Sequence, residues 1–375
     1  MTVKILGVID EEPFDPYTWS GSGYYFFNAL KEYGCLRDAI SAQPSRKVQL
    51  FYKALSFQLG MERWKFRYHL NTGLFGQMSK VAVKKISKID QRDFNVLLQV
   101  GAWYDLAELK NKVFASYHDG NLSTLLASPY GYPAIKKKYI QQTFDYEKQL
   151  YGKMNYIFPM SEWLAGSFIN DFGVETDKVF PVGAGINLPY IKHVEERDPE
   201  SAKILFVGKD FSRKGGPVLI EAFRSVRKKV KNAELIIVGP ELGNLPEGVR
   251  CEGFISKQTS EGVNKLLALY SEASIFVLPS LYEPFGIVLA EAMAHFLPCI
   301  GTNNCAMPEI IDDGRTGYLV EPNDSRSLAD ALIVLLEDHA LREEMGRHAY
   351  EKYFTQYRWE VVVDKIVGVL EDHGR

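Results

Sequence analysis

Short apolar runs alternate with longer amphipathic stretches along most of the chain. The runs are Val3–Ile9, Val96–Val100, Val113–Tyr117, Tyr156–Pro159, Lys203–Val207, Glu234–Val238, Ile275–Leu278, Pro298–Gly301 and Gly317–Val320. Each run is nearly continuously apolar, as a parallel strand covered by helices on both faces must be. Helical patterns, such as those of residues 217–230 and 327–336, lie between them. The alternation predicts an α/β fold with parallel sheets.

A polar segment, Ile191–Ser201, separates the first set of strands from the second. It is charged and contains Pro199, which is typical of a linker. A chain of 375 residues also suits two domains better than one core. We therefore predict two doubly wound, Rossmann-like domains, residues 1–194 and 195–355. The carboxyl ends of their strands are expected to face a common cleft.

Composition narrows the class of protein. The hydrophobic fraction is 46%, the charged fraction 24% and the formal net charge −3, which argues against a dedicated nucleic-acid-binding protein. The four cysteines are scattered without a CxxC pair, and the first apolar run is too short for a signal peptide. No run reaches the roughly 18 apolar residues that span a bilayer. These features predict a cytoplasmic protein.

One segment, Arg46–Lys88, differs from this average. It contains ten basic residues against one acid, Glu62, with seven aromatic residues among them, and Lys136–Lys138 extend it if they share its face. One interpretation is peripheral docking on an anionic membrane, on its inner face, where a lipid-linked acceptor would be found. The alternatives are a solvated basic helix pair or a groove for an anionic acceptor.

The segment Glu283–Glu291 carries the clearest chemistry. It follows a predicted strand, and its helix is expected to begin near Pro284, a residue suited to a first helical turn. Glu291 then lies two turns, roughly 10 Å, beyond Glu283. The backbone N–H groups at the helix start form an anion site between two hydroxyl acceptors. These groups belong to Phe285, Gly286 and Ile287. A nucleotide sugar needs this arrangement; the alternative is two solvated glutamates on an ordinary βα unit.

A second element, Phe206–Gly216, combines a strand end, a glycine turn and three cations before a helix. The cations are Lys209, Arg213 and Lys214. Cations at such a turn neutralise a diphosphate and stabilise a leaving nucleotide as its charge develops. The alternative is a solvated basic loop.

In this order and at this separation, the two elements resemble the retaining glycosyltransferases of the GT-B fold, family 4. The resemblance covers the C-terminal half, including Cys251–Ile255, Val277–Ser280 and Asp313–Val320. It implies a helix of about 356–375 that crosses back to the N-terminal domain. That domain would bind the acceptor, and residues 195–355 would bind the donor.

The resemblance also implies roles for single residues. Glu291 would hold the ribose, and Glu283 would contact the sugar that moves. The amides of residues 285–287 would hold sugar and phosphate. Lys214 would grip the diphosphate, while Lys209 stands where the family has arginine, which leaves Lys209 or Arg213 as the second phosphate ligand. Backbone groups would read the base, at the turn of Gly253, Phe254 and Ile255.

Two motifs of the first half match the family in position. The loop of Ser20, Gly21, Ser22 and Gly23 resembles the family's glycine-rich loop between donor and acceptor, although a simple tight turn has the same sequence features. His118 follows a predicted strand and falls where the family has a histidine beside the donor sugar. As a lone histidine it equally fits a structural role.

The predicted activity is retaining transfer of a hexose from a UDP- or GDP-sugar to a glycan, lipid-linked or small-molecule acceptor, as in polysaccharide biosynthesis. No cofactor is expected, and no metal, because the sequence has no D-x-D motif at a strand end and no His/Cys cluster. Three other functions remain open. They are a nucleotide-sugar 2-epimerase of the same fold, an inactive GT-B binding module and a nicotinamide-dependent oxidoreductase, which the lack of a G-x-G-x-x-G motif disfavours.

Overall fold

A computed structural model describes residues 2–109, 111–129, 131–189 and 198–372 of the chain. The chain divides into two compact units. The first comprises Met1–Gly183 and Trp359–Arg375, and the second comprises Ala184–Arg358. The predicted boundary at residues 194 and 195, with most of the predicted linker, lies outside the described residues.

The first unit is a parallel sheet with helices. Its strands are β1 (Ile5–Ile9), β2 (Leu36–Ser41), β3 (Val96–Val100), β4 (Val113–His118) and β5 (Tyr156–Pro159). They lie in the order β2-β1-β3-β4-β5, and every neighbouring pair is parallel. The helices are α1 (Ser22–Tyr33), α2 (Arg46–Leu55), α3 (Met61–His69), α4 (Thr72–Ile86), α5 (Leu122–Leu126), α6 (Lys137–Lys153) and α7 (Glu162–Asn170). All five residues of β1 and of β3 are buried, as strands covered on both faces should be.

The second unit has a six-stranded parallel sheet. Its strands are β6 (Lys203–Val207), β7 (Glu234–Val238), β8 (Val249–Gly253), β9 (Ile275–Leu278), β10 (Cys299–Thr302) and β11 (Gly317–Val320). They lie in the order β11-β10-β9-β6-β7-β8. The helices are α8 (Gly216–Lys229), α9 (Ser260–Glu272), α10 (Ile287–Met293), α11 (Met307–Ile310), α12 (Ser325–Glu337) and α13 (His339–Gln356).

The last helix, α14 (Trp359–Asp372), belongs to the first unit and packs on α1. Its buried residues include Trp359, Val362 and Ile366, and the indole of Trp359 lies 5.7 Å from the ring of Phe26, between ring centres. The fold class is therefore confirmed: the chain is α/β, with two doubly wound parallel sheets and a final helix that returns to the first. No helix in the described ranges is long and apolar enough to cross a membrane.

The sequence prediction missed two strands, and both lie at the edge of a sheet. Two residues of β2 are exposed and only Ser41 is buried, and every residue of β8 is only partly buried. In β8, Arg250 forms ion pairs with Glu234 and Glu272 at 2.8 and 3.0 Å, so the strand carries charges where the inner strands are apolar. The apolar pattern of β2 and β8 is therefore weak, whereas the other two edge strands, β5 and β11, are apolar runs.

The strand order of each sheet identifies its topological switch point, where the chain moves from one side of the first strand to the other. In the second unit this switch point lies between β6 and β9, and in the first it lies between β1 and β3. The connections leave such neighbouring strands toward opposite sides, which opens a crevice at their carboxyl ends. In the second unit, the residues that follow β6 and β9 are the two motifs that the sequence singles out.

Candidate active site

The loops after β6 and β9 touch each other through their backbones. Gly215 adopts a left-handed φ of +75°, and a Cβ at this position would lie 1.9 Å from the carbonyl oxygen of Pro279. The amide of Leu281 also donates to the carbonyl of Arg213 at 2.9 Å. A side chain at residue 215 would separate the loops, so glycine is required for their contact.

This contact brings the basic loop against the first glutamate of the motif. Lys214 Nζ lies 2.7 Å from Oε2 of Glu283, and both side chains are only 12% exposed. Arg213 Nη1 lies 3.6 Å from the same oxygen and donates to the carbonyl of Tyr282 at 2.5 Å. Ser280 Oγ donates to Glu283 Oε2 at 3.4 Å. Two cations thus share the Glu283 carboxylate, and Arg213 Nε also lies 3.4 Å from Oδ2 of Asp210, so each charge of the cluster has a partner.

The end of β10 and the loop that follows it support this cluster from the other side. Thr302 Oγ1 donates to the carbonyl of Ser280 at 2.6 Å, and Asn304 Nδ2 donates to the carbonyl of Leu281 at 2.7 Å. Both bonds satisfy carbonyl groups of the loop that carries Glu283. Three neighbouring strand ends therefore fix the position of the carboxylate before any ligand binds.

The predicted start of the following helix is wrong. The helix α10 begins at Ile287, not near Pro284, and has seven residues. Gly286 precedes it with a left-handed φ of +87°, which no α-helical residue adopts, and Phe285 is buried with its ring 6.0 Å from that of Tyr357. The amides of residues 285 and 286 thus lie in the loop. Because the helix is short, Arg213 and Lys214 supply the main positive charge here.

The second glutamate, Glu291, is fully buried and already paired. Its side chain is 0% exposed; Oε1 forms an ion pair with Lys257, and Oε2 accepts a hydrogen bond from Tyr270 OH at 3.1 Å. A ribose hydroxyl that binds Glu291 must therefore replace or join Lys257, whose side chain is 29% exposed. The sequence analysis missed Lys257, although it follows the predicted base-reading turn by two residues.

That turn is exposed and faces the basic loop. Gly253 ends β8 with a left-handed φ of +64°, and Phe254 next to it is 66% exposed. Lys209 Nζ lies 5.6 Å from the centre of the Phe254 ring. Lys209 makes no ion pair with a described residue, so its charge is directed to this aromatic face. Lys209 and Lys214 consequently serve different parts of the crevice.

In the first unit, the glycine-rich loop adopts an unusual turn. Trp19 and Ser20 both have left-handed φ, 48° and 58°, and Gly21 follows at 98° before α1 begins at Ser22. Side chains from elsewhere hold the turn: Trp19 N donates to Glu11 Oε2 at 2.6 Å, and Trp19 Nε1 donates to Asp119 Oδ2 at 3.2 Å. The turn therefore lies beside the end of β4, where His118 is found.

His118 itself points into the core of the first unit. It is 2% exposed and packs against Tyr151 and Phe168, with ring centres 5.6 and 5.0 Å away. Burial lowers the pKa of His118 to about 3, so the imidazole is neutral at pH 7. Its Nε2 has no hydrogen-bond partner among the described residues. Contact with a sugar would require the side chain to leave this pocket, whereas the adjacent Asp119 is exposed.

Among the described residues, no group of three or more His, Cys, Asp or Glu side chains could hold a metal ion. All four cysteines are free. Burial raises the pKa of the Cys35 thiol to about 11 and that of Cys299 still further, which leaves both protonated and unreactive.

Comparison with known proteins points to the same class. Residues 190–352 match the sequence model of glycosyl transferases group 1. The chain is 37% identical over 182 residues to N-acetyl-alpha-D-glucosaminyl L-malate synthase of Bacillus anthracis, a match that covers 46% of this chain and 46% of that protein. The chain thus spans about half the length of this relative.

Solved structures resemble the whole chain. Sucrose-phosphate synthase from Thermosynechococcus elongatus superposes with a TM-score of 0.70, at 16% identity, over 98% of each chain. An Anabaena protein solved with UDP and glucose superposes with a TM-score of 0.66, at 15% identity, over 98% of this chain and 99% of its own. Such low identities show the fold alone, which is the GT-B fold of glycosyltransferases.

The class defined by fold and site is thus that of GT-B proteins with a charged crevice at the switch point of the second sheet. Within that class, residues 190–352 are similar to glycosyl transferases group 1.

Proposed function

We propose that this protein is a glycosyltransferase that moves a hexose from a UDP- or GDP-sugar to an acceptor hydroxyl. The observation that carries the proposal is the cluster of Arg213, Lys214 and Glu283 at the switch point of the second sheet. Its place in the fold is where open α/β sheets bind nucleotides. The match of residues 190–352 to glycosyl transferases group 1 supports the same activity.

The charges of the cluster suit exchange with a diphosphate. Without a ligand, Lys214 is neutralised by Glu283. A donor diphosphate carries about two negative charges and competes with Glu283 for Lys214 and Arg213. Once released, the Glu283 carboxylate accepts hydrogen bonds from sugar hydroxyls. The donor therefore replaces an internal ion pair by two new interactions.

The same cations assist the chemical step. As the bond between the anomeric carbon and the phosphate oxygen breaks, negative charge grows on the departing diphosphate, and Lys214 and Arg213 stabilise it. The acceptor oxygen forms the new bond to that carbon, and its proton passes to an oxygen of the departing diphosphate. We propose that attack occurs on the same face, with retention of configuration. We also propose that the reaction needs no metal, because these cations take its place.

The first unit is proposed to bind the acceptor, a carbohydrate or a lipid-linked glycan. Asp119 and Glu11 are held beside the turn of residues 19–21, and carboxylates bind neutral hydroxyl groups well. They would repel a diphosphate. We propose that His118 only packs in the core of this unit, because its ring is buried.

A nucleotide-sugar panel tests the proposal. UDP- and GDP-linked hexoses are offered with short glycan and lipid-linked acceptors, and the release of nucleoside diphosphate and the product are both measured. Transfer with one donor class, lost in Lys214→Ala, supports the proposal. Failure of every donor to bind in calorimetry contradicts it.

The same assay separates the alternatives. Epimerisation of the donor in the absence of any acceptor would identify a nucleotide-sugar 2-epimerase. Tight donor binding without transfer, epimerisation or hydrolysis would identify an inactive binding module. Addition of a chelator should leave the rate unchanged if the proposed metal independence holds.

A further inference from the structure

The helices α2 and α3 and the loop between them expose a surface unlike the rest of the described chain. Six large apolar side chains here are 56–81% exposed: Leu50, Phe51, Leu55, Phe57, Leu59 and Met61. They come from twelve consecutive positions, yet they make up six of the fourteen large apolar side chains that are exposed in the described residues. Contiguous exposed apolar surface of this kind marks an interaction site.

The helix α2 turns its apolar face outward. Phe51 follows Leu50 by one position, and Leu55 follows Phe51 by four. The three side chains therefore fall on one side of the helix. Tyr52 points to the other side and is partly buried, where α2 packs on α4. No residue of α2 or α3 is fully buried. The exposed apolar face of α2 therefore does not belong to the core of the first unit.

The connecting loop is anchored and presents its apolar side chains in a fixed place. Trp64 Nε1 donates to the carbonyl of Lys53 at 2.7 Å, and the rings of Phe57 and Trp64 meet edge-on, 5.7 Å apart. These contacts tie the loop to α3. Leu59, at 81% exposure, is the most exposed large apolar side chain among the described residues.

Positive charge surrounds these apolar groups. Five basic side chains of α2 and α3 are exposed: Arg46, Lys47, Lys53, Arg63 and Lys65. Glu62 is the one acid between residues 46 and 88. The guanidinium of Arg67 lies over the ring of Tyr139 at 3.6 Å, and Lys138 Nζ lies 5.0 Å from the same ring, so the lysines at the start of α6 extend the charge.

We propose that residues 46–65, the α2–α3 surface, dock the protein on an anionic lipid bilayer. In this arrangement Leu50, Phe51 and Leu59 enter the interface, and the basic side chains meet acidic headgroups. The charge argues against a second copy of the chain as the partner, because a symmetric contact would place two positive surfaces face to face. A soluble anionic glycan would leave the six apolar side chains in water.

Co-sedimentation of the full chain with vesicles tests this inference. Phosphatidylcholine vesicles are compared with vesicles that also contain phosphatidylglycerol, at low and high salt. We expect the protein to pellet only with the anionic vesicles and to be released by high salt. Arg46→Gln/Lys47→Gln should lower the partition coefficient about 25-fold, because each basic residue contributes about fivefold. Leu59→Ser/Met61→Ser should lower it by a similar factor.

Two matched variants of the second unit serve as controls. Arg224→Gln/Lys228→Gln removes the same charge from the exposed face of α8, and Val334→Ser/Phe354→Ser removes two exposed apolar groups. Both should bind vesicles like the unchanged protein. Circular dichroism verifies that each variant is folded.

Three outcomes would overturn the inference. They are the absence of binding to anionic vesicles at low salt, equal losses in the control variants, and a concentration-dependent dimer that Leu59→Ser/Met61→Ser abolishes without any vesicle binding. Vesicle binding requires neither a donor nor turnover. Its failure and the failure of the proposed transfer reaction are therefore distinguishable.

Discussion

The two units hold their buried acidic side chains in different ways. In the second unit, each glutamate of the motif is paired with a lysine: Glu283 with Lys214, and Glu291 with Lys257. A site built from ion pairs can exchange one anion for another, because each lysine is already placed to receive a negative charge.

In the first unit, Glu147 and Asp10 form no ion pair with a described residue. Glu147 is buried and accepts hydrogen bonds from Leu122 N at 3.0 Å and Tyr151 OH at 3.1 Å; desolvation raises its pKa to about 7. The pKa of Asp10, at the carboxyl end of β1, is raised to about 6 by burial and by Glu11. The contrast indicates that the first unit suits neutral groups, such as hydroxyls, and the second suits anions.

The largest expected effect is at the glycine contact between the two charged loops. Gly215→Ala should destabilise the second unit by about 4 kcal/mol, since the methyl group overlaps the Pro279 carbonyl and the backbone is left-handed. Urea unfolding measures the loss. Gly243→Ala is the control, because a Cβ there meets no atom within 4 Å. Equal stability of the two variants would show that the loops separate at little cost.

Glu147, the buried acid of the first unit, should make the free energy of unfolding depend on pH. The folded pKa of Glu147, about 7, lies above its ordinary value of 4.5, so the stabilisation is complete below pH 4.5 and is lost as the pH rises through 7. The loss amounts to up to about 3 kcal/mol. Glu147→Gln should flatten this part of the profile, measured by urea unfolding at several pH values. A profile identical to that of exposed Glu221→Gln would contradict the assignment.

The central cation of the second unit should control donor use. Lys214→Ala is expected to lower kcat/KM about 100-fold, because the departing diphosphate loses its nearest charge. Steady-state kinetics with the donor found in the panel measures this effect. Lys228→Ala, on the exposed face of α8, should leave the rate unchanged. Unchanged kinetics in Lys214→Ala would contradict the proposal that the donor diphosphate replaces Glu283 as the partner of Lys214.

Substitution of the buried Glu291 should have the smallest of these effects, on nucleotide affinity. Glu291→Ala is expected to weaken nucleotide binding about 10-fold, through lost hydrogen bonds from ribose hydroxyls to a charged acceptor. Calorimetry with UDP and GDP measures it. Tyr270→Phe removes one bond to the same carboxylate and should keep the affinity. Equal weakening in both variants would mean that Glu291 acts through packing alone.

The inner strands of both sheets and the edge strands β5 and β11 were predictable, because each is a short apolar run. The edge strands β2 and β8 were not, because charged residues such as Arg37 and Arg250 interrupt them. The start of α10 was also predicted wrongly. Pro284 suits a helix start, but the buried ring of Phe285 and the left-handed Gly286 postpone the helix to Ile287.

The candidate site shows a similar limit. Residue order along the chain placed Lys214 and Glu283 after neighbouring strands, and strand topology then brings them together. Side-chain direction is a different matter. Nothing in the sequence around His118 shows that its ring turns into an aromatic pocket, and the pairing of Lys257 with Glu291 depends on contacts 34 positions apart.

The return of α14 to the first unit has a consequence for synthesis of the protein. Trp359, Val362 and Ile366 complete a core whose other residues are translated first. During translation, the second unit is complete as soon as residue 358 has emerged, whereas the first unit must wait for the final helix. The first unit, most of which is translated first, is thus the last to be completed. A ribosome stalled near residue 358 should expose the face of α1 that α14 covers, which makes the unfinished first unit a substrate for chaperones.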